Sequence, residues 1–126
     1  MSDCYCSAEN TFENCCENYL LGTEKAPTAQ VLMRSRYSAY CVQNIDYLIQ
    51  TTHTSTRKFY NKQDVFDFAT QNKWIKLEIL NFSETIVEFK AHYLDVNKKP
   101  QIHHEKSTFK NENGIWYYVD GAFFDV

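Results

Sequence analysis

Ala29, Leu32, Met33, Tyr37, Tyr40 and Cys41 recur at three- and four-residue spacing. That is the period of one buried helix face, and it predicts an amphipathic helix over 29–42. Thr28 stands where a side-chain oxygen can cap its free backbone N–H groups, and Pro27 disfavours helix in the residue before it. Asn44 is placed to cap a shorter second helix with Ile45, Leu48 and Ile49 on one face. Asn61 is placed to cap a third over about 62–72, burying Val65, Phe66 and Ala69. The period then falls to two, the signature of half-buried strands. In Trp74 to Phe82, Ile75, Leu77 and Ile79 face one way and Lys76 and Glu78 the other. From Thr85 to Val96, Val87, Phe89, Ala91 and Tyr93 oppose Glu88, Lys90 and His92. Gln101 to Lys110 and Ile115 to Gly121 form a third and a fourth strand, separated by Asn113-Gly114, a pair suited to a two-residue hairpin turn. Helices followed by antiparallel strands predict an α+β fold, three helices packed on a curved antiparallel sheet.

Residues 1–24 do not share these periods. They hold four of the five cysteines, and Lys25-Ala26-Pro27-Thr28 reads as the boundary to a body spanning 25–126. The charge is also uneven. The chain has 13 Lys+Arg and 16 Asp+Glu, net −3. Residues 1–27 carry Asp3, Glu9, Glu13, Glu17 and Glu24 against Lys25 alone, a local sum of −4. This balance argues against a nucleic-acid partner held by phosphate neutralisation. With 9 Phe, 9 Tyr and 2 Trp, the chain has the apolar bulk for a real core. There is no apolar run long enough for a membrane span and no signal-like N-terminus, so the expected location is cytoplasmic.

Location bears on the cysteines, because cytosolic thiols stay reduced and clustered ones there serve more often as metal ligands. Cys4-Tyr5-Cys6 is followed, after eight residues, by Cys15-Cys16. Four thiolates this close can close a tetrahedral shell, and Zn²⁺ is the ion such a shell suits best. A fully protein-ligated site leaves no open position for water and is structural. The alternatives are strained disulfides or free thiols. Cys41, on the buried stripe of the first helix, reads as a small core residue. The body has its own core, so loss of the metal is expected to unfold the loop first.

The segment Cys4-Tyr5-Cys6-Ser7-Ala8-Glu9-Asn10-Thr11-Phe12-Glu13-Asn14-Cys15-Cys16 resembles the SEC-C zinc motif, which also ends the secretion ATPase SecA. Ligand spacing and the aromatic Phe12 agree with it. The resemblance continues through Leu32 to Tyr40, Asp46-Tyr47-Leu48-Ile49 with His53, Trp74 to Ile79, Glu105 to Phe109 and Gly114 to Gly121. Together these resemble the YchJ family, whose body resembles the nuclear-transport-factor-two-like (cystatin-like) cone, a bent sheet wrapped on helices around a pocket. The resemblance implies zinc on Cys4, Cys6, Cys15 and Cys16, and no settled activity. The motif's usual lysines, suited to acidic partners such as the chaperone SecB or ribosomal surfaces, are Asn10, Thr11, Glu13 and Asn14 here. Its glycines are Ser7 and Glu9. An acidic loop implies instead a partner with a basic surface.

Strand alternation also suggests a pocket in the body. Glu105 and Ser107 share one face with Phe109, and Trp116 and Asp120 share a face with Tyr118. Arg36 and Tyr37 come from the first helix and His53 follows the second, giving a candidate ligand-binding set of Arg36, Tyr37, His53, Glu105, Ser107, Trp116 and Asp120. A buried polar network satisfying itself is the competing explanation. His92, His103 and His104 read as solvent-facing sheet residues. No nucleophile elbow, phosphate loop or catalytic metal signature is present, and no catalytic residue is assigned. Two functions compete: a protein-interaction module carrying structural zinc, able to recruit a partner or form a homodimer through the sheet, and a small-molecule or catalytic pocket in the cone.

Overall fold

The protein is described by a computed structural model over residues 4–6 and 11–124. Ser7, Glu9 and Asn10 of the loop lie outside the described residues. A 3-10 turn at Phe12–Asn14 leads into α1 (Glu17–Leu21), α2 (Ala29–Val42), α3 (Ile45–Gln50), α4 (Thr54–Arg57) and α5 (Lys62–Gln71). Four strands follow: β1 (Lys73–Phe82), β2 (Ile86–Leu94), β3 (Pro100–Glu112) and β4 (Ile115–Phe124). The three helices expected from periodicity are α2, α3 and α5, each with its expected cap. Thr28 Oγ1 accepts from Val31 N at 3.1 Å, Asn44 Oδ1 from Tyr47 N at 3.1 Å, and Asn61 Oδ1 from Gln63 N at 2.8 Å. The short α1 and α4, five and four residues long, carry too few positions to show a period.

The strands form one antiparallel meander in the order β1-β2-β3-β4. Asn113 and Gly114 both take positive φ, 56° and 85°, in the tight turn between β3 and β4. The inner face of the curved sheet packs on α2: Leu32, Met33 and Tyr37 meet Leu77, Val87, Phe89, Ala91 and Phe109 in one core. Edge strand β4 is covered by the α3–α4 link, where His53 N donates to Tyr118 O at 2.7 Å and Tyr118 N to Thr51 O at 2.8 Å.

Three register shifts interrupt the sheet, one of them at Leu80 between Ile79 and Asn81, and the other two correct the simple alternation. In β1 the pairing jumps from Trp74↔Tyr93 to Lys76↔His92. Ile75 is the extra residue, 52% exposed, and Trp74 takes the inward place expected for it. In β4 the pairing jumps from Phe109↔Tyr118 to Thr108↔Asp120, leaving Val119 between. The Val119 carbonyl is tied to α4 by Thr56 Oγ1 at 2.7 Å. Asp120 is therefore exposed, and Gly121 occupies the inner position that alternation assigned to it.

The cysteine segment is docked on the body. Cys4, Cys6 and Cys16 belong to the same buried cluster as Leu32 and Phe109. Arg34 Nη1 donates to the Cys6 carbonyl at 2.9 Å, and Cys4 Sγ lies 3.6 Å from Ser38 Oγ. Ser38, fully buried and small, lets the loop approach α2. Among the described residues no helix is long and apolar enough to cross a membrane.

Candidate functional site

Two turns bring the cysteines together. Cys4 and Cys6 flank Tyr5, whose ring packs edge-on against Phe12 with centroids 5.3 Å apart. That contact gives the aromatic at position 12 a physical task, closing the loop over the cluster. Cys15 ends the 3-10 turn, and Cys16 is the N-cap of α1. The four Sγ atoms lie within 4.8 Å of one another, with Cys6–Cys15 at 3.6 Å and Cys15–Cys16 at 3.8 Å. A tetrahedral shell with metal–sulfur bonds of about 2.3 Å has sulfur–sulfur edges of about 3.8 Å. Bonded sulfurs would stand about 2.05 Å apart, and all five cysteines are free. The cluster can hold a metal ion.

Proton distribution in the cluster supports that fit. The Cys4 thiol is held far below the usual range, because Cys16 and Cys6 hydrogen-bond its thiolate. Cys15 is pushed up to about 12 by burial and by the charge of Cys6. Cys16 is pushed up further, chiefly through its hydrogen bonds to Cys4 and Cys6. Without a cation the sulfurs cannot all ionise; a divalent ion removes that conflict and releases the protons. Cys41 stays apart, its thiol pushed up to about 12 by burial in the core.

The second feature is a cavity of ≈ 190 Å³ between α2, α5 and the inner sheet face, bordered by Arg36, Tyr37 and Glu105 of the expected set. Ser107 sits behind Glu105. Glu105 is 5% exposed. Its Oε1 accepts from His103 Nε2 at 2.7 Å, and its Oε2 accepts from Tyr118 Oη at 2.8 Å and from Ser107 Oγ. Burial raises its pKa, but these hydrogen bonds outweigh burial and hold the carboxyl below its ordinary value. Gly121 is needed beside it, since a Cβ there would overlap Glu105 Oε2. Arg36 does not pair with Glu105. Its Nη1 donates to Leu48 O at 2.9 Å and Thr51 Oγ1 at 2.7 Å, and the guanidinium lies 4.5 Å from the Tyr118 ring centroid.

His53, Trp116 and Asp120 fall outside this cavity. His53 caps α4: Nδ1 accepts from Ser55 N at 3.1 Å, and Nε2 donates to Glu112 Oε2 at 2.6 Å. Trp116 Nε1 donates to the Pro27 carbonyl at 3.2 Å. Asp120 is turned out by the β4 bulge. Conversely His103, expected outside with His92 and His104, lies inside against Glu105. It shares the two-residue alternation of Glu105, Ser107 and Phe109, a signal available in the sequence. The aromatic wall of Tyr40, Phe68 and Trp74 was not legible, because it joins three elements far apart in the chain.

The two buried tyrosine hydroxyls differ. Tyr37 Oη makes no well-formed hydrogen bond and has only the weakly accepting Cys41 thiol beside it, while Tyr118 Oη binds Glu105. Tyr37→Phe is expected to leave stability unchanged or raise it by up to about 1 kcal/mol, whereas Tyr118→Phe lowers it by about 1.5–3 kcal/mol. Urea denaturation of both variants checks this.

A third feature is a groove of ≈ 340 Å³ between the cysteine segment and the body. Tyr19, Leu20, Leu21 and Glu24 line one side, Asp46, Tyr47 and Gln50 the other, and Ile115 to Tyr117 the end.

Comparison with known proteins places this architecture. A family model described as YchJ, middle NTF2-like domain, matches residues 28–121. The chain belongs to the YchJ family. A UPF0225 protein of Vibrio cholerae is similar to it, 34% identical over 95% of this chain and 82% of its own length. One from Geobacter sulfurreducens is 36% identical over 94% of this chain and 77% of its own length. The solution structure of a SEC-C motif containing protein from Rhodopseudomonas palustris superposes with a TM-score of 0.90 at 30% identity, covering 98% of this chain and 100% of that one. The crystal structure of a SEC-C motif containing protein from Psychrobacter arcticus gives a TM-score of 0.81 at 27% identity, covering 100% of this chain and 85% of that one. This YchJ-family chain thus combines the SEC-C motif with the NTF2-like body. The family's molecular role is not established.

Proposed function

We propose that Cys4, Cys6, Cys15 and Cys16 hold one structural Zn²⁺, and that the motif so fixed is a protein-interaction module for a partner with a basic face. The observation that carries this reading is the position of α1. Its N-cap is the ligand Cys16, and its residues form one wall of the ≈ 340 Å³ groove. The metal would therefore set the shape of a surface and not of a catalytic centre. The closed sulfur shell offers no open coordination position for chemistry.

Charge supplies the partner's character. Glu24 and Asp46 border the groove but are offset there by Lys25 and by Lys62, which pairs with Asp46 at 2.8 Å, so the negative field comes from the cluster itself, with exposed Glu13 beside it. Four thiolates on one Zn²⁺ add about −2 to the local charge. A basic protein surface complements that field, and a phosphate backbone does not.

The test is capture of partners from a cell extract by the zinc-loaded chain and by Cys6→Ser, followed by a salt series on each partner recovered. The expected partner presents clustered Lys and Arg, is lost with Cys6→Ser and binds more weakly as salt rises. Binding that is flat with salt, or unaffected by loss of the metal, contradicts the reading.

A further inference from the structure

The ≈ 190 Å³ cavity in the cone has no part in the zinc module, yet it gathers features that a merely filled core does not need. Tyr60, Phe68 and Phe123 border it and are 37%, 40% and 67% exposed. Large rings collected at a wet rim mark a binding site, where scattered single ones do not. From the rim inward, Phe68, Tyr40 and Trp74 hold one another at centroid distances of 5.4–6.0 Å. The rings are thus set in place before any ligand arrives.

Arg36 decides the ligand's charge. It borders the cavity and is 5% exposed. Among the described residues no carboxylate lies within ion-pair distance of it. Only Nη1 is engaged, by Leu48 O, Thr51 Oγ1 and Thr52 Oγ1. Nε and Nη2 make no hydrogen bond among the described residues. A buried cation without a counter-charge is costly, and the unused edge of a guanidinium is a fork shaped for a carboxylate.

Glu105 does not fill that role. Both its oxygens are taken by His103, Tyr118 and Ser107. The Tyr118 ring stands between the two charges, in cation–π contact with Arg36 and hydrogen-bonded to Glu105 through its hydroxyl. Three of the roughly four acceptor sites of Glu105 are used, so an amine finds at most one there and meets the charge of Arg36 as well. The volume is below the roughly 300–1,000 Å³ of drug-sized pockets, which limits the ligand to about one or two fused rings.

We propose that the cone cavity binds a small planar carboxylate, its anionic group on the free edge of Arg36 and its flat apolar body among Tyr40, Phe68 and Trp74. This site is independent of the cysteine cluster and of the protein partner.

The experiment titrates the full, zinc-replete chain with benzoate, indole-3-acetate, benzamide and benzylamine, followed by ¹H–¹⁵N NMR. The two indole signals separate the sites, because Trp74 lines the cavity and Trp116 borders the other groove. At least one carboxylate is expected to shift Trp74 saturably and leave Trp116 still, with benzamide and benzylamine at least about tenfold weaker. Arg36→Lys keeps a charge but loses the fork, and is expected to weaken carboxylate binding about tenfold. Phe68→Ala, at the exposed rim, gives a second reading where Arg36→Lys does not fold, with weakening of about fivefold. Benzylamine binding as tightly as benzoate, shifts at Trp116 in place of Trp74, or no saturable shift with either carboxylate overturns the proposal.

Discussion

Cys6→Ser is expected to abolish metal binding and to lower the stability of the whole chain, not of the loop alone. Cys6 is fully buried, and its neighbours Cys4 and Cys16 share one core with Leu32, Met33 and Phe109. Its carbonyl also holds Arg34 of α2. Losing the shell therefore removes packing from the principal helix of the body. Structural zinc supplies about 10–16 kcal/mol in isolated fingers. With zinc bound at this cluster, most of that would order a segment that has no core of its own, and the remainder would reach the body through α2. The expected loss for the body is about 3 kcal/mol or more, a fall in Tm of roughly 10 °C. The thermal transition should stay single. A separate early transition with an unshifted main one would show instead that the loop unfolds by itself, as the composition break between residues 1–24 and 25–126 suggests.

The second large effect is at Glu105. Glu105→Ala strips the acceptor from Tyr118, Ser107 and His103 inside the cone and is expected to cost about 3–5 kcal/mol. Glu105→Gln keeps the shape but presents an amide nitrogen to donors, at about 1.5–3 kcal/mol. The pH dependence has a defined sign. The folded-state pKa of Glu105 is depressed by its hydrogen bonds, so its contribution is complete above the unfolded value of about 4.3. It is lost as pH falls through the lower folded value. The stability difference between parent and Glu105→Gln should shrink as pH falls below about 4. Urea denaturation across pH reads it directly; a difference that grows on acidification would mean the carboxyl is already protonated in the fold. Each variant is compared with the parent under the same metal conditions, since acid also protonates the cysteines.

Much of the fold was legible in the chain because local chemistry and global packing agree. Thr28, Asn44 and Asn61 mark helix starts by the same side-chain acceptance seen in the structure. Asn113-Gly114 marks the hairpin because both residues tolerate positive φ. The cysteine cluster was legible for a different reason: its members are neighbours in sequence, so spacing alone constrains their geometry. The cone cavity was only half legible. Strand alternation placed Glu105 and Ser107 on the inner side, and the first helix supplied Arg36 and Tyr37, but alternation cannot see a bulge. The extra residue Val119 turned Asp120 outward and made room for Gly121 against Glu105. Ile75 shows the same failure in β1. His53 was misplaced because a histidine that caps a four-residue helix leaves no periodic trace, and its partner Glu112 lies 59 residues further on.

The proposed interaction surface exists only where the cysteine cluster is a closed metal shell. The most direct measurement is elemental analysis of the chain purified without chelator and without added metal, together with thiol titration before and after denaturation. The account predicts close to one zinc per chain, four thiols that react only after denaturation or chelation, and no zinc in Cys6→Ser. Metal-free protein whose Cys4, Cys6, Cys15 and Cys16 react freely in the folded state would contradict it.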